Sequence, residues 1–181
     1  VLALQVRSDL QLFVGGTFMS MGGVKVNHIA RYDWREVHKL GNGVDGAVHA
    51  LVQLQGGDLL AAGVFTKAFL GKGSAVATGG LAVWDGSVWS PLGCTMSGSY
   101  FAAAVNGSLL YVAGRIKDTC GIPTDGIALW DSHRWRTLGS GITKGAVHAI
   151  TLHHDFVYAG GSFVEAGGRE ASRVARWDGA D

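Results

Sequence analysis

Leu81-Ala82-Val83-Trp84-Asp85-Gly86-Ser87-Val88-Trp89-Ser90-Pro91-Leu92-Gly93 is the stretch whose reading decides the fold. A short apolar run ends on Trp-Asp. An Asp-Gly pair then supplies the positive φ angles of a tight hairpin turn, and a second run opens on Trp and stops at Leu-Gly. Runs of this length, rich in Val, Leu and Trp and bounded by Gly, Asp and Ser, read as antiparallel strands and not as helix. The first half returns as Ile29-Ala30-Arg31-Tyr32-Asp33, Ile127-Ala128-Leu129-Trp130-Asp131 and Val174-Ala175-Arg176-Trp177-Asp178. Ala30, Ala82, Ala128 and Ala175 are spaced by 52, 46 and 47 residues. A period of that size marks a repeat architecture.

Two further strands precede each of these segments. The second of the two ends at small residues, in Phe13-Val14-Gly15-Gly16, Leu60-Ala61-Ala62-Gly63, Tyr111-Val112-Ala113-Gly114 and Tyr158-Ala159-Gly160-Gly161. The first is expected at 1–7, 48–54, 100–105 and 147–152, with Gly56-Gly57 and Asn106-Gly107 as hairpin turns. A side chain at Gly16, Gly63, Gly114 or Gly161 is expected to crowd a close backbone approach or a left-handed bend. Trp84, Trp89, Trp130, Trp135 and Trp177 are expected to fill the space between sheets. Trp34 falls off the repeat pattern, and Val37 stands where other units carry Trp. Three units have four strands. The fourth has three and reaches Asp181 without a Trp and Leu-Gly strand.

A single such unit cannot bury both of its faces, and stacking units about an axis would solve this. The cadence resembles Kelch-like beta-propeller repeats of large extracellular and cell-surface proteins, similar to those of fungal cortical marker proteins and algal or bacterial secreted repeat proteins. The resemblance implies an all-β, Kelch-like beta-propeller segment of about four blades of four antiparallel strands. The blades would lie at approximately 1–46, 47–98, 99–145 and 146–181, the last incomplete and the whole part of a larger propeller. It also implies a surface or extracellular setting.

Bulk properties narrow the function. The chain of 181 residues has 29 Gly and 2 Pro, which suits short paired strands joined by tight turns. A formal charge of +1 with no block of like sign gives none of the positive field that a nucleic acid requires. No apolar run reaches membrane-spanning length, so direct membrane insertion is not expected. Cys94 and Cys120 lie between strands and are candidates for a disulfide. Asn106-Gly107-Ser108 is a glycosylation triplet in a hairpin turn. Both features favour an extracellular location.

No catalytic, cofactor or metal residues are expected. His49 and His148 share a repeat position, but Leu2 and Phe101 hold it in the other units, which argues for packing over metal binding. Asp33, Asp85, Asp131 and Asp178 recur before tight turns, where a carboxylate accepts local backbone amides. Glycosidase chemistry needs two carboxylates across one substrate instead. Neither a G-x-S-x-G elbow nor a calcium loop is present, and a copper-type oxidoreductase would lack a coherent ligand set. The loops at 19–28, 67–80, 117–124 and 165–172 vary most, which suits recognition. Met19, Met21 and Phe69 are candidate contact residues there, and Trp34 is a candidate platform. The chain is thus expected to be a structural or protein–protein interaction module of a larger extracellular or surface assembly. Its partner would be another protein or the remaining blades of a parent chain. The alternative is a glycan-binding or carbohydrate-active propeller.

Overall fold

The computed structural model describes residues 1–71, 73–94 and 98–179; position 72 of the 67–80 loop and the terminal Asp181 lie outside them. The fold is all-β, and the described residues form eight antiparallel sheets of two to four strands. The chain divides into two compact units, Val1–Thr95 and Met96–Asp181.

The first unit holds two four-stranded meanders. Sheet I is built from β1 (Ala3–Val6), β2 (Leu12–Gly15), β3 (Ile29–Tyr32) and β4 (Val37–Lys39). Sheet II is built from β5 (Ala47–Gln53), β6 (Leu59–Val64), β7 (Leu81–Trp84) and β8 (Trp89–Pro91). In the second unit, sheet III comprises β9 (Ser99–Asn106), β10 (Leu109–Arg115), β11 (Ile127–Trp130) and β12 (Trp135–Thr137). Sheet IV has three strands, β13 (Val147–His153), β14 (Phe156–Gly161) and β15 (Val174–Trp177).

The sheets do not form the expected Kelch-like beta-propeller. Among the described residues the sheets are discrete, and none closes or curls upon itself. The physical reason lies in what the repeat encodes. Its turns and alternating residues specify a local meander, whose ladder ends at the fourth strand. The segments between the second and third strands are not plain loops either. They fold into sheets of their own: Ser20–Met21 with Val24–Lys25, Lys67–Gly71 with Ser74–Ala77, and Asp118–Thr119 with Ile122–Pro123. In the last repeat Glu165–Ala166 pairs with both Ile142–Thr143 and Arg169–Glu170.

Strand alternation sets the cores, because successive side chains point to opposite faces. In the first unit Phe13 and Ile29 from sheet I pack with Val48, Leu51, Leu59 and Trp89 from sheet II. In the second, Tyr111, Ile127 and Leu129 from sheet III pack with Val147, Val157 and Ala159 from sheet IV.

The first strand of three repeats carries one extra residue. The register slips between Val48 and Ala50, between Tyr100 and Ala102, and between Val147 and Ala149. The residues skipped are His49, Phe101 and His148, each the bulged position of its strand. The bulge drives a carbonyl of the first strand over the glycine opposite. A Cβ on Gly63 would stand 2.0 Å from the Ala47 oxygen, on Gly114 2.0 Å from Ser99 O, and on Gly161 2.1 Å from Ala146 O. None of these three has a left-handed φ, so the close approach is what requires glycine. In sheet I the tightest position is Gly15, 2.6 Å from a Val48 methyl, and Gly16 is looser at 3.1 Å.

Candidate functional site

The recurring aspartates build turns. Asp33 Oδ1 accepts the amides of Arg35 (3.1 Å) and Glu36 (2.8 Å). Asp85 accepts those of Ser87 (2.7 Å) and Val88 (2.8 Å), and Asp131 those of His133 (3.0 Å) and Arg134 (2.8 Å). The free carboxylate oxygen meets a residue on the fourth strand, His38 Nε2 in sheet I and Arg136 Nε in sheet III, both at 2.6 Å. The Glu36 amide, then His38, holds the Asp33 carboxyl well below the usual range. The Arg134 amide does most to lower Asp131, to about 2, and the Val88 amide lowers Asp85. Asp178 also has an interaction partner.

The residue after each aspartate is left-handed: Trp34 at φ 73°, Gly86 at 101°, Ser132 at 75° and Gly179 at 102°. Trp34 therefore occupies the turn position that other repeats give to small residues. A bulky side chain there is strained. Its indole N–H donates to the Leu10 carbonyl in the neighbouring hairpin tip, and Ser132 Oγ donates to Ser108 O (3.0 Å) at the matching place. Trp34 thus clamps two tips together; the residue is 58% exposed, and its ring lies edge-on to Tyr32 at 5.6 Å.

The tryptophan pairs span the last two strands. Trp84 lies opposite Trp89 and Trp130 opposite Trp135, each pair with ring centroids 5.2 Å apart. Trp89 and Trp135 are buried. Trp89 Nε1 donates to the Leu40 carbonyl at 2.8 Å, so sheet II docks its indole onto the Leu-Gly ending of sheet I.

Two surfaces stand out, one in each unit. On sheet I, Leu2, Leu4 and Val6 form a row 51%, 60% and 52% exposed, beside Leu12 and Tyr32 on the neighbouring strands. The opposite face of the same sheet carries the core residues Ala3, Phe13 and Ile29. In the second unit, a groove of about 410 Å³ runs beside β15, lined by Leu138, Val157, Ala159, Ala171, Arg176 and Trp177 among others. Among the described residues β15 is paired on one side only, with β14.

The remaining candidates are dispersed. Met19 is exposed, and Met21 is half-buried on the small hairpin between β2 and β3. Phe69 lines a separate cleft of about 330 Å³ with Lys25, Asn27 and Lys39, and Trp34 is not part of it. Asn106 is exposed at the edge of its turn, before Gly107 at φ 58°. Neither Cys94 nor Cys120 is a free thiol; both are disulfide-bonded. His148 stacks on Phe101 at 5.4 Å, and burial holds the His49 pKa below its ordinary value. No group of three or more His, Cys, Asp or Glu able to hold a metal occurs among the described residues, nor any helix long and apolar enough to cross a membrane.

Sequence reading missed the Leu2-Leu4-Val6 row, although its period-2 spacing was there to be read. It also missed Asp45, whose burial is outweighed by hydrogen bonds from Lys67 and Thr66 that lower its pKa.

The chain matches no protein-family model, and no curated protein matches it in sequence. The Kelch-like resemblance is thus without support from either the sheets or a family match. What stands is an all-β chain of small antiparallel sheets.

Proposed function

We propose that this protein is a structural or protein–protein interaction module of an extracellular or surface assembly. The apolar row on the outer face of sheet I carries the reading. Exposed apolar side chains scattered singly are ordinary, but a contiguous row on one strand face is a docking signature. Covering it with a partner would contribute roughly 1 kcal/mol per side chain from the area removed from water. The disulfide-bonded state of both cysteines favours an oxidising compartment.

A photocrosslinking residue placed at Leu4 tests this in the native host. The expected result is a discrete adduct at Leu4, lost with Leu2→Glu or Val6→Glu and absent from the same label at exposed Thr151 on sheet IV. Equal labelling at both places would end the reading.

The exposure of Trp34 favours glycan binding as a second reading, because a held indole can face a sugar. A glycan array compares the wild type with Trp34→Gly, which suits the left-handed turn. Sugar binding retained by Trp34→Gly would remove Trp34 as the platform.

A further inference from the structure

We propose that the cleft beside β4 in the first unit binds an acidic saccharide, a sugar unit that carries a carboxylate or a sulfate. Lys25, Asn27, Lys39, Asn42 and Phe69 line it, and among the described residues no Asp or Glu does. Two cations thus face one concavity in a chain whose formal charge is only +1. Neither lysine belongs to an ion pair among the described residues, whereas Lys144 in the second unit meets Glu165 at 2.6 Å. An oxyanion in the cleft can accept charge-assisted hydrogen bonds from them.

The fold brings the lysines in from two directions. Lys25 ends the second strand of the small hairpin between β2 and β3, opposite Ser20. Lys39 ends β4, opposite Ala30 of β3. The next residue, Leu40, packs in the core, so strand alternation sends Lys39 the other way. The segments that line the cleft are tied to one another. Val44 N donates to Asn27 O (3.1 Å), Asn42 N to Phe69 O (3.2 Å) and Phe69 N to Gly43 O (2.9 Å). Asn27 Nδ2 donates to Asn42 O at 2.6 Å. Gly43 leaves no room for a side chain, since a Cβ there would stand 2.2 Å from Asn27 O. The cleft is therefore set before a ligand arrives, which lowers the ordering cost of binding.

The other groups select a sugar. Asn42 uses only its backbone in the hydrogen bonds of the described residues. Its side-chain amide keeps both donors and an acceptor for hydroxyl groups. Ala68 lies in the core, so Phe69 falls on the opposite face of its hairpin, half-buried. It offers apolar ring surface against which the C–H face of a pyranose can pack. An extended peptide needs main-chain donors, and those at 42, 43 and 44 are already engaged within the protein. The volume, about 330 Å³, lies at the lower end of ligand pockets and suits one ring better than a long segment.

The site goes beyond the interaction-module reading and shares no residue with the apolar row or with Trp34. The Leu4 crosslink and this cleft can fail independently. The probes are trigalacturonate, sulfated maltotriose and neutral maltotriose, each titrated into the full chain by calorimetry. Saturable 1:1 binding of an acidic sugar is expected, at least tenfold tighter than that of maltotriose, and the tighter of the two acidic probes identifies the acid group. Lys25→Gln with Lys39→Gln should weaken it at least tenfold while leaving the melting transition in place. Arg35→Gln with Lys117→Gln removes the same charge at exposed positions outside the cleft, and should change it less than about twofold. Amide shifts on the wild-type protein, concentrated in 25–27, 39–43 and 69, give the same answer if the lysine variant does not fold. No saturation at millimolar sugar, equal affinity for maltotriose, equal loss in the two double variants, or shifts centred elsewhere would overturn the proposal. Tighter binding of a tri-aspartate peptide than of either acidic sugar would also overturn it, by assigning the cleft to an acidic polypeptide.

Discussion

Sheets III and IV share a meander order, a bulge and a tight glycine, yet their third strands differ sharply in burial. Ile127, Ala128 and Leu129 are buried, while Val174 and Arg176 of β15 face solvent. Residue type does not account for the contrast. β3 has almost the composition of β15, Ile29-Ala30-Arg31-Tyr32 against Val174-Ala175-Arg176-Trp177. Its Ile29 and Ala30 are nonetheless buried, and Ile29 packs with Val48, Leu51 and Trp89 of sheet II. The sheet packed over the face, not the strand itself, decides whether this segment is interior.

The largest effect expected from that contrast is on the tryptophans. Trp135→Ala should cost roughly 3–5 kcal/mol by leaving a cavity against Trp130, and Trp177→Ala about 1 kcal/mol, both read from urea unfolding. Equal costs would break the comparison. The bulge should behave alike in the two sheets: Gly114→Ala and Gly161→Ala should each cost about 1–3 kcal/mol, since each Cβ meets a carbonyl. A gap above about 1 kcal/mol between them would show that the shared bulge is not equally rigid. Amides of β15 should exchange with deuterium at least ~10-fold faster than those of β11, a difference of about 1.4 kcal/mol in local opening.

The smallest effect concerns the Asp131 turn. Its folded pKa, about 2, lies below the ordinary carboxylate value. Its contribution is therefore present above about pH 4 and lost as pH falls toward the folded value. Asp131→Asn should flatten the acid limb of the wild-type stability curve over that range, measured as the urea midpoint against pH. An unchanged acid limb would show that the turn does not depend on the carboxylate charge.

The local meanders were readable because their turns are written in residues that tolerate positive φ. Asp85-Gly86 and Asn106-Gly107 announce the bends, and the aromatic-Asp endings locate the third strands. Trp34 hid its own role, since indole is among the last side chains expected in a left-handed turn. The bulges at His49, Phe101 and His148 were also hidden, because one extra residue leaves an apolar run looking like an ordinary strand. The small hairpins in the variable loops were missed for a related reason: two-residue strands such as Ser20–Met21 have no periodicity to detect. Closure was over-read, because a repeat cadence carries information about each sheet and none about how a series of them ends. The docking row on sheet I was visible as Leu2, Leu4 and Val6, but only the opposite burial of Ala3 told which face was which.

The clamp at Trp34 gives the molecule an optical consequence. Of its six indoles, the one at the hairpin tip belongs to a residue 58% exposed, whereas the residues at 89 and 135 are 2% and 3% exposed. Iodide should quench the red side of the emission band first, and that component reports on the tip of the first unit while the blue component follows the interior.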